Sequence, residues 1–320
     1  MAAARVLFFG DPGIDDSLAI MYGLLHPNIE IVGIVPGYGN VEQEQAVQNV
    51  AYLLSLAGNR DIPIIAGAKG PLSGEFTPYY PEIHGEKGLG PIRPPDTLQA
   101  GELLNFDKIF KIIQKYENEL YIVDVGRSTS LAIAFLLGGE VMNKVKGIYV
   151  MGGAFFVPGN VTAEAEANFY GDPIASNLVC ERAQNLAIHP LNITIQALMT
   201  SDIVDTIVHY GTRNPYRDLI RPIFDYYYEF YKKSVPGIKG TPLHDVVALS
   251  AIVNPSIVQY AYRRVRVEMF GILKGVSVAD FRANPDKEPP KALDRIALRF
   301  DYKTFITDFV QVMTMGDVDR

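Results

Sequence analysis

Short, continuously apolar runs alternate with amphipathic stretches through the first two thirds of the chain. The apolar runs predict buried strands at residues 6–9, 29–35, 62–66, 120–125 and 145–151. The stretches between them predict helices at residues 18–25, 41–57, 101–116 and 128–137. Strands without polar alternation are typical of parallel sheets, whose two faces are both covered by helices. The pattern therefore predicts an α/β fold with an open, mostly parallel central sheet flanked by helices.

Two segments interrupt this alternation. Residues 70–100 and 235–243 contain many glycines and prolines and show no clear period. Long loops of this kind in a compact domain are commonly lids or binding loops. An aromatic-rich helix is predicted at residues 214–233, with Asn214 as its N-cap and Pro215 as its first residue. A further apolar helix is predicted at residues 246–252.

The composition narrows the class of protein. The 320 residues contain no linker, so we expect one domain over residues 1–320 with lid-like loops near 70–100 and 235–243. A net charge of −7 without a basic run argues against nucleic acid and anionic membranes as partners. No apolar run reaches membrane-spanning length, and the first strand begins too early for a signal peptide. The single cysteine, Cys180, excludes an internal disulfide and fits a reducing compartment, so we expect a cytoplasmic protein.

Three carboxylates gather where the first predicted strand ends, in the run Gly10-Asp11-Pro12-Gly13-Ile14-Asp15-Asp16-Ser17. Open α/β sheets bind ligands at the carboxyl ends of their strands. Crowded acids repel one another unless a cation or a row of donors neutralises them, and ligation by oxygen alone favours calcium or magnesium. The alternative is structural, because Pro12-Gly13 can form a turn and Asp15 or Asp16 can cap a helix.

Three further polar clusters follow predicted strands or lie in the long loops. Each has a plain structural alternative: His84 as a loop histidine at the surface, Glu164 and Glu166 as a solvated loop, and Asp245 as a helix N-cap. The clusters are His84-Gly85-Glu86-Lys87-Gly88-Leu89-Gly90, the run of residues 160–168 (Asn-Val-Thr-Ala-Glu-Ala-Glu-Ala-Asn), and His244-Asp245.

Taken in order, these clusters resemble the inosine–uridine nucleoside hydrolases. The family signature Asp-x-Asp-Pro-Gly-x-Asp-Asp is matched from its second aspartate onward by Asp11-Pro12-Gly13-Ile14-Asp15-Asp16. The resemblance covers nearly the whole chain. It continues through His84-Gly85 and Gly88-Leu89-Gly90, Gly126 to Thr129, Met151-Gly152-Gly153, Gly159-Asn160, Ala165-Glu166-Ala167-Asn168, Asp172-Pro173, Asn192-Ile193-Thr194, His244-Asp245, Glu268 and Gly275.

The resemblance implies a Rossmann-related nucleoside hydrolase fold with its active site at the strand carboxyl ends. The implied reaction is calcium-assisted hydrolysis of the N-glycosidic bond of purine or pyrimidine ribonucleosides, in nucleoside metabolism such as purine salvage. The implied Ca²⁺ ligands are the side chains of Asp11, Asp16 and Asp245 and the backbone carbonyl of Thr129. The family also suggests a homodimer or homotetramer.

The resemblance further implies roles toward the substrate. Asp11 is the expected general base that activates water, and His244 the expected donor of a proton to the departing nucleobase. Asp15 and Asn168 are expected to hold the ribose hydroxyls, while Asn160 and Glu166 reach the 5′ end. Further contacts to the nucleobase are expected from His84, Tyr227 and Tyr231, although aromatic residues at helical spacing are also typical of a core.

Two positions depart from the family pattern. Its first aspartate is Phe9 here, which places an apolar ring where a carboxylate near the metal is expected. Its turn Gly-Pro-Leu-Thr-Asn reads Gly126-Arg127-Ser128-Thr129-Ser130, and a cation close to a calcium site raises the cost of binding. These departures keep open an alternative, a diverged nucleoside- or ribose-binding protein with little turnover. An aspartate-dependent phosphohydrolase is less well supported, because Phe9-Gly10-Asp11 lacks the paired acid and leaves His244-Asp245 without a role.

Overall fold

The computed structural model describes residues 3–58, 61–75, 78–95, 105–283 and 293–315. Strands and helices alternate through the first part of the chain, close to the predicted positions. The strands are β1 (Ala4–Gly10), β2 (Ile29–Pro36), β3 (Leu120–Asp124), β4 (Gly147–Met151), β5 (Leu186–His189), β6 (Leu198–Thr200), β7 (Gly240–Pro242), β8 (Val258–Arg263), β9 (Val265–Val267), β10 (Ser277–Ala279) and β11 (Asp294–Phe300).

Seven of these strands form the central sheet, in the order β2-β1-β3-β4-β5-β11-β8. Every neighbouring pair is parallel except β11 and β8, which are antiparallel. The strand order reverses at β1, which has β2 on one side and β3 on the other. Such a reversal opens a crevice at the carboxyl ends of the two flanking strands, where α/β proteins bind ligands. The predicted fold, an α/β domain with a mostly parallel sheet, is confirmed.

Helices cover both faces of the sheet. Along β1, Val6 and Phe8 enter one core layer and Leu7 and Phe9 the other, as the alternation of a strand requires. The helices are α1 (Ile14–Leu25), α2 (Gln43–Leu56), α3 (Pro81–His84), α4 (Lys108–Lys115), α5 (Thr129–Gly138), α6 (Ala167–Gly171), α7 (Pro173–Arg182), α8 (Leu191–Thr194), α9 (Ser201–Tyr210), α10 (Arg217–Ser234), α11 (His244–Val253) and α12 (Tyr302–Met315).

Helices α1 and α11 both begin at the carboxyl edge of the sheet. Asp15 and Asp16 lie in the first turn of α1, and Asp245 lies in the first turn of α11. A helix N-terminus carries partial positive charge and unpaired N–H groups, so it favours carboxylates at these positions. The packing of the two helices thus brings three acids to one end of the molecule.

Three predicted elements differ from the structure. Residues 62–66 do not form a strand; only an isolated parallel bridge joins Ile34 and Ile64, because neither Pro63 nor Pro36 has an N–H to extend the ladder. Helix α4 begins at Lys108, after a turn at 105–107, while residues 101–104 lie outside the described residues. Helix α10 begins at Arg217, because the Asn214 side chain accepts a hydrogen bond from the Tyr216 N–H (2.8 Å) and forms a turn before the helix.

The two predicted loops contain some regular structure. Helix α3 lies within residues 70–100, of which 76–77 and 96–100 are not described. Residues 235–243 include β7, which pairs with β6. In the part of the chain that the structure describes, no helix is long and apolar enough to span a bilayer.

Candidate active site

A cavity of about 360 Å³ opens at the carboxyl end of the sheet. It is lined by most of the residues that the sequence singled out for the substrate. The structure therefore brings together residues that are far apart in the chain. The predicted residues in its lining are Asp15, His84, Asn160, Glu166, Asn168, Tyr227, Tyr231, His244 and Asp245. Asn40, Tyr80, Val125, Leu191 and Phe230 also line it.

Asp11 follows directly after β1 and is buried. Its Oδ2 accepts a hydrogen bond from the backbone N–H of Asn40 (2.6 Å), whereas its Oδ1 has no hydrogen-bond partner among the described residues. Gly39 permits this approach, because a Cβ at that position would lie 1.7 Å from Asp11 Oδ2. One oxygen of Asp11 is thus fixed by the backbone, and the other is buried without a hydrogen-bond partner in the described part of the chain.

Asp16 joins the segments around Asp11. Its Oδ1 accepts from the Asp11 N–H (2.9 Å), and its Oδ2 accepts from the Gly13 N–H (3.2 Å) and from Asn40 Nδ2 (3.0 Å). Asp15 is less tightly held: its Oδ2 accepts from the Tyr227 hydroxyl at 3.4 Å, and its buried Oδ1 has no hydrogen bond among the described residues.

Carboxylate oxygens of Asp15, Asp16 and Asp245 lie within 4.8 Å of one another. Burial raises the pKa of Asp11 and of Asp245 well above the usual range, raises that of Asp15, and raises that of Asp16 to about 7. For Asp11, Asp16 and Asp245, the next cause is a neighbouring carboxylate. The cluster therefore holds its negative charge only at a cost that a nearby cation would offset.

The donor set fits a hard divalent cation. Asp11 Oδ1 and Asp15 Oδ1 are buried oxygens without a hydrogen-bond partner in the described part of the chain, next to carboxylates that already crowd one another. Buried polar atoms are rarely left unpaired, so each such oxygen needs an explanation. Oxygen ligands from several elements are what calcium prefers, and they are accepted by magnesium.

The structure does not bring Thr129 into this group. Thr129 is the first residue of α5; its hydroxyl donates to Asp172 Oδ2 (2.7 Å) and is 3.1 Å from the Tyr38 hydroxyl. Thr129 lines a separate cavity of about 10 Å³ beneath the turn that follows β3. Val125, at the start of that turn, lines the main cavity instead, and its carbonyl accepts from Asn168 Nδ2 (2.8 Å).

Glu166 and Asn168 are held at the wall of the cavity by α6. Glu166 is the N-cap of this helix: its Oε1 accepts from the Asn168 N–H (2.8 Å) and its Oε2 from the Phe169 (3.1 Å) and Gly153 (2.9 Å) N–H groups. Burial raises the pKa of Glu166 to about 7 despite these bonds. Asn160 also lines the cavity, and its Oδ1 accepts from the Ala167 N–H (2.9 Å).

His244 lies between two hydroxyl groups. Its Nε2 is 3.0 Å from the Tyr231 hydroxyl, and its Nδ1 is 2.8 Å from Thr194 Oγ1. Tyr231 contacts Tyr227 edge to face at 4.9 Å, with the two hydroxyls 3.5 Å apart. Burial lowers the pKa of His244 to about 4, although Asp15 opposes this effect. The imidazole is therefore neutral near pH 7 and can relay a proton between hydroxyl groups.

His84 is not a surface histidine. It is buried, its Nδ1 accepts a hydrogen bond from the Ile14 N–H (3.1 Å), and the same atom lies 3.9 Å from Asp15 Oδ1. Burial lowers its pKa to about 3, so the ring is neutral. Its ring is 5.7 Å from that of Tyr227. Of the aromatic residues on α10, Phe224 is a core residue, whereas Tyr227, Phe230 and Tyr231 line the cavity.

Phe9 and Arg127, the two departures from the family pattern, both lie close to buried acids. Phe9 is buried in the core, where it pairs in register with Asp124 of β3, and both line the small cavity that contains Thr129. Asp124 Oδ2 has no hydrogen-bond partner among the described residues, and burial raises the pKa of this carboxyl to about 7. Arg127 is also buried, and its positive charge lowers the pKa of Asp11 against the effect of burial.

The sequence did not single out three residues that the structure places at the site. Asn40 contacts both Asp11 and Asp16, Thr194 contacts His244, and Val125 contributes a backbone carbonyl. Thr194 lies in the matched motif Asn192-Ile193-Thr194, which could have indicated it. Asn40 is a polar residue in the loop after β2, and its position after a strand was the signal that could have identified it. No side-chain signal identifies Val125.

The chain is similar to known proteins over most of its length. A profile of the inosine-uridine preferring nucleoside hydrolase family matches residues 6–307, which include every segment of the cavity. The uridine nucleosidase 1 of Arabidopsis thaliana is 35% identical over 277 residues, or 86% of this chain and 82% of that protein. The pyrimidine-specific ribonucleoside hydrolase RihA of Shigella boydii is 30% identical over 289 residues, or 90% of this chain and 92% of that protein.

Solved structures agree with these matches. A plant nucleoside hydrolase superposes with a TM-score of 0.89 and 29% identity, covering 98% of this chain and 99% of its own. A purine-preferring ribonucleoside hydrolase from Gardnerella vaginalis superposes with a TM-score of 0.88 and 28% identity, covering 97% and 98%. The similarity therefore includes the whole architecture around the cavity.

Proposed function

Since the chain belongs to the inosine-uridine preferring nucleoside hydrolase family, we propose that Asp11 is the general base with which it hydrolyses the N-glycosidic bond of ribonucleosides. The observation that carries this proposal is the acidic group at one end of the cavity, next to an Asp11 oxygen that has no hydrogen-bond partner among the described residues. Family membership favours a hydrolase over a diverged binding protein and over a phosphohydrolase.

The proposed cofactor is Ca²⁺. Asp11, Asp16 and Asp245 would hold it through their carboxylates, and the Val125 carbonyl, which faces the cavity, replaces Thr129 as the proposed backbone ligand. A bound calcium ion supplies positive charge that lowers the pKa of water and offsets the repulsion among the acids. Asp15 lines the cavity with one oxygen free of hydrogen bonds from the described residues, so we assign it to a ribose hydroxyl, together with Asn168.

Asp11 would take the proton of the attacking water. The Asn40 N–H holds this carboxylate in place, and burial makes it a stronger base than a solvated one. Cleavage of the glycosidic bond develops positive charge on the sugar. The carboxylates of Asp11, Asp15 and Glu166 would stabilise that charge without having to reorient.

We place the proton donor to the nucleobase at the Tyr231–His244 pair. The two groups are 3.0 Å apart and both line the cavity, so the Tyr231 hydroxyl can give its proton to the base and recover one from His244. A neutral imidazole has one N–H and one acceptor nitrogen, which suits a relay between Thr194 and Tyr231. His84 and Tyr227 complete the proposed contacts to the nucleobase, and Asn160 and Glu166 face the 5′ end.

The first test is release of free ribose from uridine and inosine, with 2′-deoxyuridine as the matched control and with either calcium or a chelator present. Uridine comes first because a curated relative is a uridine nucleosidase. We expect release that depends on calcium and is much slower from the deoxynucleoside, because Asp15 and Asn168 would lose a partner. Undiminished release in chelator would contradict the metal assignment, and no release from any riboside would contradict the function.

Three properties suggested by the sequence remain proposals: a role in purine salvage, a cytoplasmic location and a homodimeric or homotetrameric state. The preference between uridine and inosine in the ribose-release test decides how far purine salvage applies. Light scattering coupled to size-exclusion chromatography tests the assembly, and fractionation of the source cells tests the location.

A further inference from the structure

Arg127 is a buried cation in the turn between β3 and α5. Arg127 stands where the family turn quoted above, Gly-Pro-Leu-Thr-Asn, has proline. Removing a guanidinium from water is costly unless acceptors and aromatic faces replace its hydration. The contacts of Arg127 therefore indicate what it contributes.

The guanidinium contacts two separate segments. Its Nη2 donates to the Gly39 carbonyl (3.0 Å) and to the Pro78 carbonyl (3.3 Å). Its central carbon lies 5.1 Å from the ring centre of Tyr38 and 6.0 Å from that of Tyr80. We call residues 37–41, which follow β2, the 37–41 loop, and residues 78–84 the 78–84 segment. Arg127 connects these two by one planar group.

Both segments contact the acids. In the 37–41 loop, the residue after Gly39 is Asn40, which donates its N–H to Asp11 and its side-chain amide to Asp16. In the 78–84 segment, the Tyr80 N–H donates to the Asn40 carbonyl (3.4 Å), and His84 accepts from the Ile14 N–H at the start of α1. The Gly39 carbonyl thus lies one residue from Asn40, which touches the proposed base, and the Pro78 carbonyl lies two residues from Tyr80, which touches Asn40.

We propose that Arg127 is a positioning residue that clamps the 37–41 loop and the 78–84 segment together and so holds the Asn40 N–H against Asp11. This inference rests on the proposed role of Asp11 as the base. Both hydrogen bonds come from one nitrogen, Nη2, while the planar guanidinium lies near the rings of Tyr38 and Tyr80, so one group holds both segments. Arg127 itself does not touch the substrate and takes no part in proton transfer.

The experiment compares Arg127→Met, which keeps most of the aliphatic part of the side chain, with Arg127→Lys, which keeps the charge without the planar guanidinium. The matched control is Arg295→Met. Arg295 lies 5.2 and 5.3 Å from the ring centres of Tyr149 and Tyr260, a similar arrangement away from the cavity. The readouts are hydrogen–deuterium exchange of peptides covering residues 37–41 and 78–84, kcat and KM for ribose release, and the Kd for calcium by titration calorimetry.

We expect Arg127→Met to speed exchange in both segments at least fivefold and to lower kcat at least tenfold, with KM within threefold. The Kd for calcium should not rise, because a cation near the acids has been removed. Arg127→Lys should recover only part of kcat, and Arg295→Met should leave exchange in these segments and kcat within twofold. A merely structural role predicts instead that stability, calcium affinity and kcat fall together.

Unchanged exchange in both segments, or a kcat within threefold of the parent, overturns the inference. If Arg127→Met does not fold, Arg127→Lys decides: a tenfold lower kcat with an unchanged melting temperature supports the clamp, and a parental kcat overturns it. A parent protein that releases no ribose contradicts the proposed function alone, since the exchange measurement then still tests the clamp.

Discussion

The two ends of the cavity are built in different ways. At the acidic end, where Asp15 and Asp245 line the cavity beside Asp11 and Asp16, carboxylates accept N–H groups from the backbone at β1, the start of α1 and the 37–41 loop. At the aromatic end, formed by His84, Tyr227, Tyr231 and His244, side chains mainly bond to one another and are supported by α3, α10 and α11. Backbone contacts fix an atom wherever the fold forms, whereas contacts between side chains change with a single substitution.

This difference suggests a division of labour. The acidic end would perform the chemistry on the ribose, which is common to all ribonucleosides, and the aromatic end would select and protonate the nucleobase. Substitutions at the first should therefore affect every substrate equally, and substitutions at the second should discriminate among substrates.

The largest effect is expected for Asp11→Asn. Loss of the base should lower kcat by about 10³-fold for uridine and inosine alike. The melting temperature should change little, because the asparagine carbonyl can still accept the Asn40 N–H. Steady-state ribose release and a thermal melt measure both, with Asp218→Asn on the surface of α10 as the control. A kcat within tenfold of the parent would remove Asp11 from the mechanism.

A smaller and selective effect is expected for His244→Ala. The value of kcat/KM for inosine should fall by about 10²-fold, whereas that for p-nitrophenyl riboside, whose leaving group needs no proton, should fall less than tenfold. Tyr231→Phe should likewise lower kcat/KM more for inosine than for p-nitrophenyl riboside, because the Tyr231 hydroxyl is the partner of His244. Equal losses on both substrates would instead indicate that His244 is structural and would break the division between the two ends.

Phe9→Asp tests whether position 9 belongs to the acidic end. The structure pairs Phe9 with buried Asp124, so a second carboxyl there should cost about 3 kcal/mol of unfolding free energy, and Phe9→Asp/Asp124→Ala should recover part of it. Urea denaturation gives these values, and calorimetry gives the calcium Kd. Tighter calcium binding without loss of stability would show that position 9 faces the metal after all.

The smallest effects are expected for Tyr226→Phe and Tyr228→Phe, which test the two lid-like loops at the aromatic end. Tyr226 donates to the Pro81 carbonyl (2.9 Å) and Tyr228 to the Ile238 carbonyl (3.1 Å), so each joins α10 to one loop. Each substitution should cost about 1 kcal/mol of stability and raise KM for uridine up to threefold, with kcat unchanged. An unaltered KM in both variants would argue that neither loop closes over the substrate.

The sequence predicts those parts of the fold that depend on neighbouring residues. Strand β1, the acidic turn and α1 follow from an apolar run, a glycine and a helical period within about 20 residues. The prediction is wrong where single residues change the backbone: Pro36 and Pro63 limit residues 62–66 to one bridge, and Asn214 delays α10 by forming a turn.

The acids of the candidate site are also visible in the sequence, but their surroundings are not. The path of the turn after β3 puts Val125 in the lining of the main cavity and Thr129 in that of the small one, and neither side chain indicates this. The contacts of Arg127 with Gly39 and Pro78 span 88 and 49 residues, so no local pattern can reveal them.

The hydrogen bonds of Asp16 have a consequence for the protein when the proposed metal ion is not bound. Its carboxylate ties Asp11, the start of α1 and Asn40 to one another through the protein's own donors, so these segments do not rely on an ion to stay in place. If calcium is the bound ion, as proposed, its withdrawal should stop turnover while the site keeps its shape. Adding the ion back should then restore activity without a refolding step.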